Sequence, residues 1–155
     1  QHLRLKDNKD ILQKVNFPSD LCEDEKYILK VIELVKERCV FFEDIVKEST
    51  YLFSAPQQYD QYAVDKKWNK ETVTHLVSLK SSFVSCENFT RDNLEMMFKD
   101  YLESSQLGFG KVMPGLRISI TGKMQGPSMF SIMELLGLKE VIYRINKAIE
   151  KLGNG

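Results

Sequence analysis

The chain has 155 residues, 43% of them hydrophobic and 28% charged, an ordinary globular composition that buries about 70% of its extended-chain surface in one domain or two small ones. No stretch approaches the ~20 apolar residues that cross a bilayer, and no charged segment leads into an apolar run at the start, so neither a membrane span nor a signal peptide is expected. The formal net charge is zero, which taken as a sum speaks against a nucleic-acid partner.

In chain order, "SDLCEDEKYILKVIELVKERC" opens with Asp20 and Glu23 at capping-box spacing and sets Tyr27, Ile28, Val31, Leu34 and Val35 on one helical face. "FFEDIVKESTYLF" continues the helical pattern through Phe42, Ile45, Val46 and Leu52 until "SAPQQYDQY" breaks it at Pro56. A boundary near residue 60 is expected, with subdomains over 1–60 and 61–155. "NKETVTHLVSLKSSFVS" follows Asn69, a good N-cap, with Val73, Leu76, Val77 and Leu79 at helical spacing. "NFTRDNLEMMFKDYLES" has Thr90 as N-cap and Phe89 placed to staple onto Leu94.

"LRISITG" alternates like a strand, yet Val112, Leu116 and Ile120 also fall at i, i+4, i+8. A lone strand has nothing to pair with, so the helical surroundings favour a helix. In "GPSMFSIMELLG" Pro127 is expected at the first helical position and Gly137 as a left-handed cap. "KEVIYRINKAIEKL" puts Val141, Ile142, Ile145, Ala148, Ile149 and Leu152 on one stripe and ends at Gly153. The fold class read from these patterns is all-α.

Catalytic signatures are missing. No glycine-rich phosphate loop, HExxH or GxSxG occurs. His2 and His75 are far apart, and Glu43-Asp44 reads as a solvated helical face. Cys22, Cys39 and Cys86 are odd in number and lack a CxxC pair, which favours reduced thiols in a cytoplasmic protein over a disulfide framework or a zinc site.

A binding role has more support. Residues 1–105 carry 15 Lys/Arg against 19 Asp/Glu, whereas Lys111, Arg117, Lys123, Lys139, Arg144, Lys147 and Lys151 face only Glu134, Glu140 and Glu150. That local excess of four positive charges suits a short phosphate backbone, though solvated helical faces have the same look. A helix beginning at Pro127 leaves the N–H groups of Ser128 and Met129 free to donate to a phosphate or base edge. Gly126 permits close backbone approach, Phe130 and Met129 offer a surface for an unpaired base, and Arg117 a bidentate or stacked contact. The alternative reading makes Met129 and Phe130 core residues and Arg117 a surface charge.

"GKVMPGLRISITGKMQGPSMFSIMELLGLKEVIYRINKAIEKL", residues 110–152, strongly resembles the C-terminal end of bacterial glutamyl-tRNA synthetases, with their Leu-Arg, Thr-Gly, Gly-Pro-x-x-Phe and Leu-Leu-Gly at these spacings. "VIELVKERCVFFEDIVKESTYLF" resembles that family's helix pair with its Arg and terminal aromatic, and "QHLRLKD" the piece after the catalytic and stem-contacting portion. The resemblance implies two small helical subdomains forming an anticodon-binding α-helical cage. It implies a fragment, without the ATP- and glutamate-binding catalytic domain, that holds the anticodon loop of glutamate tRNA as a monomer and binds neither DNA nor a membrane. No catalytic residue, metal or cofactor is expected here, ATP with Mg being used by the parent enzyme.

Carried over residue by residue, Arg38 would help read the third anticodon base, and Arg117, Gly126, Pro127, Met129 and Phe130 would surround the second and third. Two departures stand out: some family members have a hydroxyl residue in place of Gly126, and Met129 replaces a more usual aliphatic. Splayed anticodon bases are read by stacking and by hydrogen bonds to their edges, and cytosine offers Arg acceptors where guanine brings donors of its own. The competing reading from another class is a helical protein-interaction module that holds a partner helix on Met129 and Phe130.

Overall fold

The computed structural model describes Leu3, residues 6–17 and residues 24–154. Every regular element among them is helical, and the chain divides into two compact units, 1–55 and 56–155. The Asp20/Glu23 pair, Cys22 and His2 lie outside the described residues.

The first unit holds α1 (Asn8–Lys14), α2 (Glu25–Val35) and α3 (Phe42–Ser49), with three-ten turns at Lys36–Arg38 and Thr50–Leu52. Asp24 caps α2, its carboxylate accepting from the N–H groups of Lys26 and Tyr27. Ile28, Val31, Ile32 and Val35 of α2 are buried, together with Ile11 of α1 and Ile45 of α3. The Lys36 ammonium is buried with them and satisfied, donating to Lys6 O at 3.1 Å and Asn8 Oδ1 at 2.8 Å and lying 3.2 Å from Glu33. Tyr27 donates its hydroxyl to Leu52 O, and its ring stands edge-on to Phe53.

The second unit is built from α4 (Gln61–Lys67), α5 (Lys70–Val84), α6 (Arg91–Ser105), α7 (Phe109–Thr121), α8 (Met129–Leu136) and α9 (Leu138–Leu152). Helix α7 packs on α4, α5 and α9. Covered on several sides, it buries Val112, Leu116, Ile118 and Ile120 as well as Ser119, whose hydroxyl donates to Gly115 O at 2.8 Å. The strand-like alternation of "LRISITG" thus belongs to a helix buried nearly all round, where one-sided amphipathicity is lost. Pro114 lies inside α7, a residue that costs roughly 3 kcal/mol in a helix interior because it removes a backbone donor and crowds the preceding turn.

Asn69 and Thr90 cap α5 and α6 as expected, accepting from Thr72 N and Asn93 N. On α5 the buried set is Thr72, Leu76, Leu79 and Phe83, with Val77 46% exposed; the face is turned from the expected one because α7 covers the helix at Thr72. Phe89, ahead of α6, meets Phe83 edge-on. Helices α8 and α9 are joined by Gly137 alone, at φ 88° and ψ 161°. That is not the expected left-handed helical cap but a region open essentially to glycine only.

Candidate functional site

The residues singled out in the sequence fall into two places, one in each unit. In the first unit, α2 stops at Val35 and a three-ten turn carries the chain to Arg38, whose side chain is exposed and forms no hydrogen bond or ion pair among the described residues. Its backbone is firmly anchored. Cys39 is fully buried, its N–H donating to Lys36 O at 3.1 Å and its thiol to Val35 O at 3.3 Å. Burial pushes that thiol up to about 11. Asp44 in the first turn of α3 accepts from Phe41 N at 3.0 Å and Val40 N at 3.3 Å. The Glu43-Asp44 pair is therefore not merely a solvated face, because Asp44 closes the N-terminus of α3.

In the second unit the site is the segment 122–128 between α7 and α8. Gly122 ends α7 at φ 76°, donates to Ile118 O at 2.8 Å and accepts from Asp60 N at 2.9 Å. A Cβ there would meet Gln58 O at 2.8 Å and Pro56 Cβ at 2.9 Å, so only glycine satisfies both the dihedral and the space. Thr121 accepts from Lys123 N at 3.1 Å, and its hydroxyl lies 2.9 Å from Arg117 O. Half-buried Arg117 reaches along the segment and donates Nη2 to Pro127 O at 3.0 Å.

Three sequence expectations are corrected here. Pro127 is not the first helical residue: Ser128 is the N-cap, its hydroxyl accepting from Ser131 N, and α8 starts at Met129. A hydroxyl side chain serves that position better than Pro can. Met129 and Phe130 are not a surface for stacking but core residues, 1% and 8% exposed, with Phe130 edge-on to Phe98 at 5.6 Å. Finally, the positive excess of the last third is not all at the surface. Arg144 is 2% exposed, 2.8 Å from Glu140 and donating Nη1 to Ile120 O at 2.8 Å. Gly126 and Pro127 are half-buried in the loop.

Sequence reasoning missed two features. Arg144 lies on the buried stripe of α9, between Val141 and Ala148 at spacings of three and four, and that spacing is legible. Val40 and Phe41, 45% and 62% exposed beside Arg38, fall within what the sequence pattern shows as one continuous helical run into α3. His75 is structural, with Nδ1 2.8 Å from the Tyr101 hydroxyl and the two rings edge-on. Among the described residues no group of three or more His, Cys, Asp or Glu is placed to hold a metal, and no helix is long and apolar enough to span a membrane.

Comparison with known proteins adds four findings. The model of a family described as "Anticodon binding domain" matches residues 5–149. A glutamate-tRNA ligase of Flavobacterium psychrophilum is 43% identical over 81% of this chain and 25% of its own length. That of Christiangramia forsetii is 34% identical over 97% of this chain and 30% of its own. Among solved structures, the glutamate-tRNA synthetase of Elizabethkingia anophelis superposes with a TM-score of 0.82 at 34% identity, covering 96% of this chain and 29% of that one. The chain thus spans between a quarter and a third of the length of these relatives.

Proposed function

Because the chain belongs to the anticodon binding domain family, we propose that it is the part of a glutamate-tRNA ligase that holds the anticodon loop of glutamate tRNA, acting in the cytoplasm within a monomeric enzyme. The observation that carries this reading is the continuity of the match, which takes in both helical units and the whole of the 122–128 segment. In this reading the ligase reaction, with its ATP and magnesium, belongs to the parent protein. This portion then binds tRNA without charging it.

The geometry supports a division of labour. Arg38 is exposed on an anchored turn, so its guanidinium is available to a base without prior loss of a partner. Its five donors suit the acceptor edge of cytosine and oppose the donors of guanine, giving discrimination built partly on repulsion. Arg117 acts differently: with Nη2 on Pro127 O, it shapes the loop. Gly126 and Pro127 then meet the second and third anticodon bases through backbone groups, while Met129 and Phe130 support that backbone from the core. The protein-interaction alternative depended on a Met129/Phe130 surface, and burial of both side chains removes it.

The test is fluorescence anisotropy of this chain against two labelled RNA hairpins whose anticodons end in C or in G, at two salt concentrations. Binding that weakens with salt and prefers C is expected. Absence of binding to either hairpin by the folded chain would overturn the reading.

A further inference from the structure

The turn between α2 and α3 presents an aromatic ring that the fold itself does not use. Phe41 is 62% exposed and Val40 45%, while the neighbouring Phe42 turns inward and is half-buried. The backbone beneath Phe41 is fixed from both sides, since Phe41 N donates to Asp44 Oδ2 at 3.0 Å and Phe41 O accepts from Asp44 N at 3.0 Å. Val40 N is taken by the same carboxylate and Cys39 N by Lys36 O. With these donors engaged, the turn cannot swing Phe41 inward without breaking them, so the ring stays in water and forgoes the gain of burial.

Arg38 stands three residues away on the same turn, within about 11 Å even for a fully extended chain. A flat apolar face beside an exposed guanidinium asks for a partner with a flat π-surface, hydrogen-bond acceptors at its edge and negative charge behind it. An unpaired nucleobase on its phosphate has all three. A partner helix offers rounded aliphatic side chains, a poorer match to one ring on a tight turn.

We propose that Phe41 is the stacking surface for the unpaired base whose edge Arg38 reads. This rests on the anticodon-loop reading above and extends it from hydrogen bonding at the base edge to packing at the base face.

The experiment uses this chain and a hairpin carrying the glutamate anticodon, with a fluorescent cytosine analogue at its third position. Stacking on an aromatic ring quenches such a probe, so binding by the unaltered chain should quench it. Phe41→Leu, which keeps an apolar side chain without a π-face, should abolish the quench and weaken binding by roughly 5- to 150-fold. Phe41→Tyr should retain both. Arg38→Gln should keep the quench while losing the preference for C over G. Circular dichroism confirms that each variant is folded. Equal quenching and affinity in Phe41→Leu would overturn the stacking role and leave the exposed turn to a protein partner. No binding by the unaltered chain would instead overturn the anticodon-loop reading itself, so the two failures are distinguishable.

Discussion

Arg144 Nη1 donates to the carbonyl oxygen of Ile120 at 2.8 Å, tying the middle of α9 to the last turn of α7. The contact reaches one of the carbonyls that a helix C-terminus leaves without an intrahelical donor, so a buried cation is well placed there. Nε of the same guanidinium lies 2.8 Å from Glu140, which is itself partly exposed and lets water near the pair.

Removing this side chain takes away a charge-assisted bond and packing volume together. Arg144→Ala should cost about 2–4 kcal/mol. Glu140→Gln should cost at most about 1 kcal/mol, because an amide oxygen still accepts from Nε and the carboxylate is partly screened. Urea unfolding followed by circular dichroism measures both, and equal losses would show that the salt bridge, not the Ile120 contact, dominates.

Gly115 sets how closely α7 approaches α5. A Cβ at that position would lie 2.4 Å from Cγ2 of Thr72. Thr72 cannot easily turn away, since its hydroxyl donates to Lys67 O and accepts from Asn69 N. Gly115→Ala should therefore destabilise by about 1–3 kcal/mol through overpacking. Adding Thr72→Ser deletes the clashing methyl and keeps the hydroxyl, so the double variant should recover most of the loss. A thermal melt of the four-member cycle checks this, and simple additivity would refute the contact.

The helices carrying strong caps or long apolar stripes were legible, and so was the all-helical class. Two were not: α1 and α4 are seven residues each, too short for a 3.6-residue period to show, and only Asp7 and Asp60 mark their starts. The start of α8 lies two residues beyond Pro127, because the preference for Pro at a first helical residue competes with a stronger one for Ser at the N-cap. Spacing leaves Met129 and Phe130 open between core and stacking surface because "PSMF" says nothing about α6, whose Phe98 meets Phe130 edge-on. Arg144 was counted among surface charges because composition ignores position, although its spacing from Val141 and Ala148 put it on the buried stripe. The exposed Arg38 was visible only through the family resemblance, since an arginine at a helix end has an ordinary explanation in the helix dipole.

Cys39 and Cys86 should differ sharply in reactivity. Burial, then the nearby Glu48 and Asp44, hold the Cys39 thiol up to about 11, whereas Cys86 is half-exposed. Iodoacetamide at neutral pH should alkylate Cys86 and spare Cys39, as peptide mapping would show. The raised value also has a stability consequence. The folded state favours the protonated thiol, so its contribution is whole below the ordinary thiol range and declines as pH rises from about 9 towards about 11, where the unfolded chain ionises first. A Cys39→Ala variant, though less stable overall, should show a flatter decline across that window.

Arg117 and Arg38 should fail in opposite ways. Arg117 is half-buried and holds Pro127 O, so Arg117→Ala should cost about 1–2 kcal/mol of stability and loosen the 122–128 segment. Hairpin binding then weakens for loops ending in C and in G alike, because the variant disturbs the shape that both must meet. Arg38 is exposed and forms no hydrogen bond or ion pair among the described residues, so Arg38→Gln should change stability by no more than about 0.5 kcal/mol. What it should remove is discrimination, since a glutamine amide presents both a donor and an acceptor and no longer opposes guanine. Melting curves and paired hairpin titrations of the two variants separate these roles. A loss of C-over-G preference in Arg117→Ala, with none in Arg38→Gln, would reverse the assignment and place the base reader on α7.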